Sequence, residues 1–136
     1  MKFPSEEAKW VWLACALDGE GSLRLYRDNR RKTWRVFMEI FNTNLDFLKV
    51  AKEIIEHGSL IKRKPSKIGR KPKYGFQTNS AERLREILPK LLPYLTIKVE
   101  RCKLMIEALK LKEGLQYTGK GCPRLWEIYK IQKSLP

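Results

Sequence analysis

Between Leu17 and Ser22 the chain changes its hydrophobic period within five residues, and this change limits the possible folds more than any other feature. Upstream, Pro4 and Ser5 precede EEAKWVWLACAL. Ser5 can cap a helix, Glu6 and Glu7 suit its positive N-terminal end, and Trp10, Leu13, Ala14 and Leu17 recur at helical spacing. The pattern predicts a helix from about Glu6 to Leu17, stopped by the two glycines of DGEGS. Downstream, Ser22-Leu23-Arg24-Leu25-Tyr26 alternates polar and apolar residues, as a strand does.

The polar turn RDNRRK then leads to a second alternating run, Thr33 to Ile40. Trp34, Val36, Met38 and Ile40 share one face of it, and Thr33, Arg35, Phe37 and Glu39 the other. This is a hairpin with one face for a core and one for something polar. Thr43 or Asn44 can cap the next helix, which carries Phe47, Leu48, Ala51, Ile54 and Ile55 on one side before Gly58 is expected to end it. Ser59 to Lys64 and Tyr74 to Thr78 read as a shorter hairpin around KPSKIGRKPK, a loop too basic to be only a connector. Ser80 caps a helix with Leu84, Ile87, Leu88, Leu91, Leu92 and Leu95 in register, which Pro89 should kink and Pro93 should end or bend. A further helix from Lys98 carries Cys102, Met105, Ile106 and Leu109, and a last short one surrounds Leu125, Ile128 and Tyr129. No internal repeat is visible, so any twofold symmetry the function needs must come from a second chain.

Residues 1–136 are expected to form a single domain, with a core of about 5–111 and a C-terminal helical extension over 112–136. With 29 Lys and Arg against 15 Asp and Glu, the formal net charge is +14, which calls for a polyanionic partner. A hydrophobic fraction of 43%, with four Trp, five Tyr and five Phe, excludes a disordered basic tail. Cys15, Cys102 and Cys122 show no CxxC spacing, and only His57 could join them, so neither a zinc site nor a disulfide framework is suggested. There is no Ser-His-Asp arrangement and no phosphate-binding glycine loop; His57, at a helix end, reads as a surface residue. No run approaches a membrane span or a signal peptide, so an intracellular, reducing location and no membrane partner are expected.

The stretch Leu13-Ala14-Cys15-Ala16-Leu17-Asp18-Gly19-Glu20-Gly21 resembles the motif of the LAGLIDADG homing endonucleases. Leu13, Ala14, Asp18 and Gly21 are identical to the consensus, and Glu20 stands where its second acidic residue belongs. The element order, over roughly Ser5 to Leu111, also resembles that family's αββαββα core, and LPYLTIKVERCKL resembles its third helix and the lysine that follows. The resemblance implies an α+β fold with an antiparallel, saddle-shaped sheet and C-terminal helices. It also implies a single-motif, homodimeric, site-specific double-strand DNA endonuclease, with short 3′ overhangs and an intron or intein origin. Glu20 and the carbonyl of Gly19 would bind Mg²⁺ or another divalent cation, for which oxygen ligands with open water positions are suited. Lys98 would line the active site and stabilise charge on the phosphate, and Asn42 would orient water or substrate, unless it helps cap the following helix. Leu13, Ala14, Cys15, Leu17 and Asp18 would lie at the dimer interface, with Cys15, in place of the consensus glycine, as a packing residue. Asp18 would hydrogen-bond main chain at the helix ends.

For reading double-stranded DNA in the major groove, the polar face of the first hairpin offers Ser22, Arg24, Tyr26 and Asp28 from one strand and Thr33, Arg35, Phe37 and Glu39 from the other. Arg24 and Arg35 suit guanine, and Glu39 could accept from cytosine. Arg63, Lys73 and Gln77 could join them from the second hairpin, whose register could slip by one residue. Lys62, Lys64, Lys67, Arg70 and Lys71 suit phosphates. A maturase that binds intron RNA, or a non-cleaving nucleic-acid binder on the same fold, is the alternative, but it has no need of an acid at position 20.

Overall fold

The computed structural model describes residues 2–63, 68–114 and 122–136. Helix α1 spans Glu6–Glu20, and the Ser5 hydroxyl caps it by accepting from Ala8 N at 3.1 Å. It does not stop at Leu17 as its sequence predicts. It runs through Asp18 and Gly19, and its last turn closes with the Gly21 N–H donating to the Leu17 carbonyl. Gly21 is already extended, with φ −111° and ψ 166°, and it begins strand β1 (Gly21–Asp28) with no intervening loop. The glycine is required because a Cβ there would lie 2.7 Å from the Leu17 carbonyl oxygen and 2.8 Å from its Cα.

Strand β1 pairs antiparallel with β2 (Thr33–Asn42), then α2 (Leu45–Ile55) leads to the hairpin of β3 (Ser59–Arg63) and β4 (Lys73–Thr78). Helix α2 is capped by the Asn44 side chain and leaves the helical path at Glu56, which takes a left-handed φ of 60°. Gly58, expected to end the helix, instead makes the tight entry to β3, where a Cβ would come 2.5 Å from the Gln77 carbonyl oxygen. Strand β2 also pairs with β4, so the four strands form one open antiparallel sheet in the order β1-β2-β4-β3.

Beyond the sheet lie α3 (Ala81–Leu91), capped by Ser80, a 3-10 turn at Leu92–Tyr94 that holds Pro93, α4 (Val99–Gly114) and α5 (Pro123–Gln132). The helices cover one face of the sheet. Leu23, Leu25, Val36, Met38, Ile40 and Phe76 are buried there against Leu13 and Leu17 of α1, Leu48 and Ile55 of α2, and Leu84 and Leu88 of α3. Truncating one of these leucines to alanine is worth about 2–5 kcal/mol, a large part of the stability of a domain this size. The alternation of the strands thus sends every second residue to the opposite, helix-free face. Among the described residues no helix is long and apolar enough to cross a membrane.

Candidate active site and nucleic-acid interface

The C-terminal end of α1 is bonded to the segment that enters α4. The Asp18 carboxylate accepts from Thr96 N at 2.8 Å, Thr96 Oγ1 at 3.1 Å, Ile97 N at 3.3 Å and Lys98 N at 3.0 Å. Burial alone would raise its pKa, but the hydrogen bonds from Thr96, Lys98 and Ile97 favour the charged form and lower it overall. Lys98 returns the contact, its Nζ donating to the Asp18 carbonyl at 3.1 Å. An ammonium group is therefore held at the negative end of the α1 dipole, close in the chain to Gly19 and Glu20. Gly19 and Glu20 are both exposed, and a Cβ on Gly19 would meet nothing within 4 Å. The available donors here are a carboxylate and helix-end carbonyls, all oxygen, which fits a hard divalent cation. Among the described residues no three His, Cys, Asp or Glu side chains cluster.

The helix-free face of the sheet is built in register. Ser22 lies opposite Glu39, Arg24 opposite Phe37, Tyr26 opposite Arg35 and Asp28 opposite Thr33. The Arg24 guanidinium sits 4.8 Å from the centroid of the Phe37 ring, which meets Tyr26 edge-on at 6.1 Å. Arg35 Nε is 4.0 Å from Asp28. Across β4, Gln77 faces Glu39 and Gly75 faces Phe41, while Lys73 lies opposite Arg63 of β3. The Arg63 guanidinium and the Lys73 ammonium lie 5.1 and 5.0 Å from the Phe41 centroid. The face therefore presents cations seated on aromatic rings, which keeps their charged tips at the surface and limits their freedom.

No family model matches the chain, and a search of curated proteins finds no match. Solved structures do match. The archaeal intron-encoded homing endonuclease I-Vdi141I, complexed with DNA, superposes with a TM-score of 0.74 at 18% identity, over 95% of this chain and 84% of that one. The homing endonuclease I-CvuI, in complex with an I-CreI target and Mg, matches with a TM-score of 0.63 at 23% identity, over 94% of this chain and 96% of that one. The LAGLIDADG homing endonuclease I-SmaMI, bound to cleaved DNA, gives 0.69 at 22% identity, over 94% of this chain but 43% of that one. The chain has the LAGLIDADG homing-endonuclease fold. Among these neighbours the same folded unit makes up nearly a whole chain in one and less than half of a longer chain in another.

On this fold the residues singled out from the sequence are partly redistributed. Leu13, Ala14 and Leu17, expected at a dimer interface, are 0% exposed within the single chain and pack into its own core. They lie on the side of α1 that contacts the sheet and α3. The exposed side of α1 is instead Val11, Cys15 and Gly19, spaced by four residues. Glu39 is 2% exposed and accepts from Arg63, so its carboxylate is not free to accept from a cytosine. Asn42 Oδ1 accepts from Asn44 N at 2.8 Å, the bond of a capping turn, and lies on the helix side of the alternation. Lys62 pairs with Tyr74 on that same side, while Arg70 and Lys71 are exposed between β3 and β4. Lys64 and Lys67 lie outside the described residues. Arg63, Lys73 and Gln77 do share the face of Arg24 and Arg35, which settles the register of the second hairpin. The sequence reading missed Phe41, although carrying the alternation of Phe37 and Glu39 two residues further would have found it.

Proposed function

We propose that two copies of this chain form a divalent-metal-dependent endonuclease that cuts both strands of a long, nearly palindromic DNA duplex. One observation carries the reading. An exposed Glu20 ends α1 beside a lysine bonded to the same helix end, on a fold whose solved examples include endonucleases bound to DNA. The net charge of +14 and the row of Arg24, Arg35, Arg63 and Lys73 on the open face suit a duplex lying across the sheet. One carboxylate per chain is half of what a pair of strand cleavages needs, so the second half comes from a second copy. The unpartnered row of Val11, Cys15 and Gly19 on α1, with Ile97 exposed beside Asp18, is where that copy packs.

In this scheme Glu20 and the Gly19 carbonyl would hold the cation. When bound, the cation supplies an activated water and charge stabilisation at the leaving oxygen. Lys98, held by the Asp18 carbonyl, keeps a positive charge at the end of α1, where it would stabilise negative charge that builds up on a phosphate brought there. Asp18 is a positioning residue. It holds the segment 96–98, and with it Lys98, against the end of α1.

Duplexes that the protein binds are selected from a random library and then incubated with Mg²⁺. Cleavage of selected duplexes is expected, with Glu20→Gln binding them as the parent does but cutting at least about a hundredfold more slowly. A Glu20→Gln protein that cuts at the parental rate removes Glu20 from the chemistry.

A further inference from the structure

Arg63 begins on β3, the outermost strand, yet its guanidinium ends at β2, two strands away. The register explains how it crosses. Gly75 of β4 stands between Ile61 of β3 and Phe41 of β2, so the intervening strand has no side chain at that point. Arg63 Nη2 donates to both carboxylate oxygens of Glu39 at 2.9 Å. The fit is close, since a Cβ on Gly75 would come 3.3 Å from Glu39 Oε2 and 3.2 Å from Ile61 Cγ1. Glu39 is sunk between the strands at 2% exposure, whereas the Arg63 side chain keeps 48%. Only the arginine faces outward.

A long side chain at a sheet edge ordinarily samples many rotamers and meets whichever phosphate is nearest. Here the carboxylate at one end and the Phe41 ring beneath, 5.1 Å from Arg63 Cζ, remove that freedom before any ligand arrives. With Nη2 committed to Glu39, the donors left on the guanidinium are those of Nη1 and Nε. Given that the open face reads DNA, as proposed above, we propose that Arg63 is a specificity-determining residue that reads guanine, and that Glu39 is the positioning residue that sets its orientation across the gap left by Gly75. Guanine is the base whose major-groove edge offers two acceptors and no donor, so it is the one that this set of donors favours over adenine and cytosine.

The test compares the parent with Glu39→Gln and Arg63→Lys by sequencing the duplexes each selects from a random library, together with thermal melting. Both substitutions keep the positive charge of residue 63. Both are expected to lose preference for guanine by about tenfold, at the same position or positions of the site, with the rest of the preference unchanged. Arg63→Lys, at a half-exposed edge position, carries the test if Glu39→Gln does not fold. Variants that melt lower but select the parental sequences reduce the pair to a structural ion pair and overturn the inference. A parent that enriches no sequence overturns the reading of the face itself, and the inference with it.

Discussion

Two glycines at the end of α1 differ sharply in what a side chain would meet. A methyl on Gly21 would press on the Leu17 backbone at 2.7 Å, which nothing flexible can relieve. Gly21→Ala is therefore expected to cost about 1–3 kcal/mol and lower the melting temperature by several degrees. A methyl on Gly19 would meet nothing within 4 Å in its own chain. Gly19→Ala should fold at least as well, with a gain of up to about 1 kcal/mol from helix propensity. If a second α1 packs on this row, the same change should convert dimer to monomer in sedimentation and abolish cleavage; a dimeric, active Gly19→Ala protein would place the interface elsewhere. Asp18 supplies a residue-scale pH effect. Its pKa is lowered in the folded chain, so its hydrogen bonds contribute full stability above the ordinary value of 3.8, and that contribution disappears as pH falls through the lowered folded value. Asp18→Asn should lower the melting temperature at pH 7 and flatten the loss of stability between pH 5 and 2. An unchanged acid limb would show that the Thr96–Lys98 contacts do not depend on its charge.

At the level of elements, what could be read from the sequence is what depends on local period. The hairpin faces were legible because Trp34, Val36, Met38 and Ile40 alternate strictly, and all four are buried. The end of α1 was not, because Asp18-Gly19-Glu20 looks like a helix stop and becomes one only if no strand follows directly to accept the chain. Nor could period alone tell which side of α1 is buried within the chain, since Leu13, Ala14 and Leu17 suit a core and a helix contact equally well. The pairing of β2 with β4 and the crossing of Arg63 to Glu39 are non-local, and alternation carries no information on which strands are neighbours. The most distant of these links protects the open edge of β1. The Gln132 amide, 107 residues away, accepts from Leu25 N at 2.8 Å and donates to the Leu25 carbonyl at 2.6 Å, as a neighbouring strand would. Arg101 fastens this arrangement, donating to the Leu23 carbonyl at 3.0 Å and to the Gln132 and Leu135 carbonyls. Gln132→Ala would leave a buried donor and acceptor unpaired, a cost of about 1–3 kcal/mol each. The Leu25 amide should then exchange with deuterium at least about tenfold faster while the β2–β4 amides are spared; equal protection in the variant would mean that α5 covers the edge by packing alone.

In the proposed reading the whole molecule is half of an assembly. Among the described residues the apolar faces of α1 to α5 close over one side of the sheet. Two surfaces that the chain leaves open, a row on α1 and a charged sheet face, have different chemistry: the first is small and apolar, the second basic and aromatic. One of the three cysteines reports on the first. Cys102 is buried, and burial, followed by the charge of Asp18, pushes its thiol up to about 12, so it stays protonated and inert at pH 8. Cys122 is half-buried, and Cys15 is exposed in the middle of the α1 row. In a Cys122→Ser background, iodoacetamide should therefore reach Cys15 and nothing else in a separated chain. If the row is the interface, Cys15 should be protected at micromolar protein, become reactive on dilution as the dimer dissociates, and be reactive at every concentration in the Gly19→Ala variant. The concentration dependence is the discriminating part, because burial within one chain cannot be diluted away. Cys15 labelling at the same rate across a thousandfold range of protein concentration, with Gly19→Ala no faster, would mean that α1 faces solvent in the working form. The proposed cleavage would then need another way to bring two Glu20 carboxylates to one duplex.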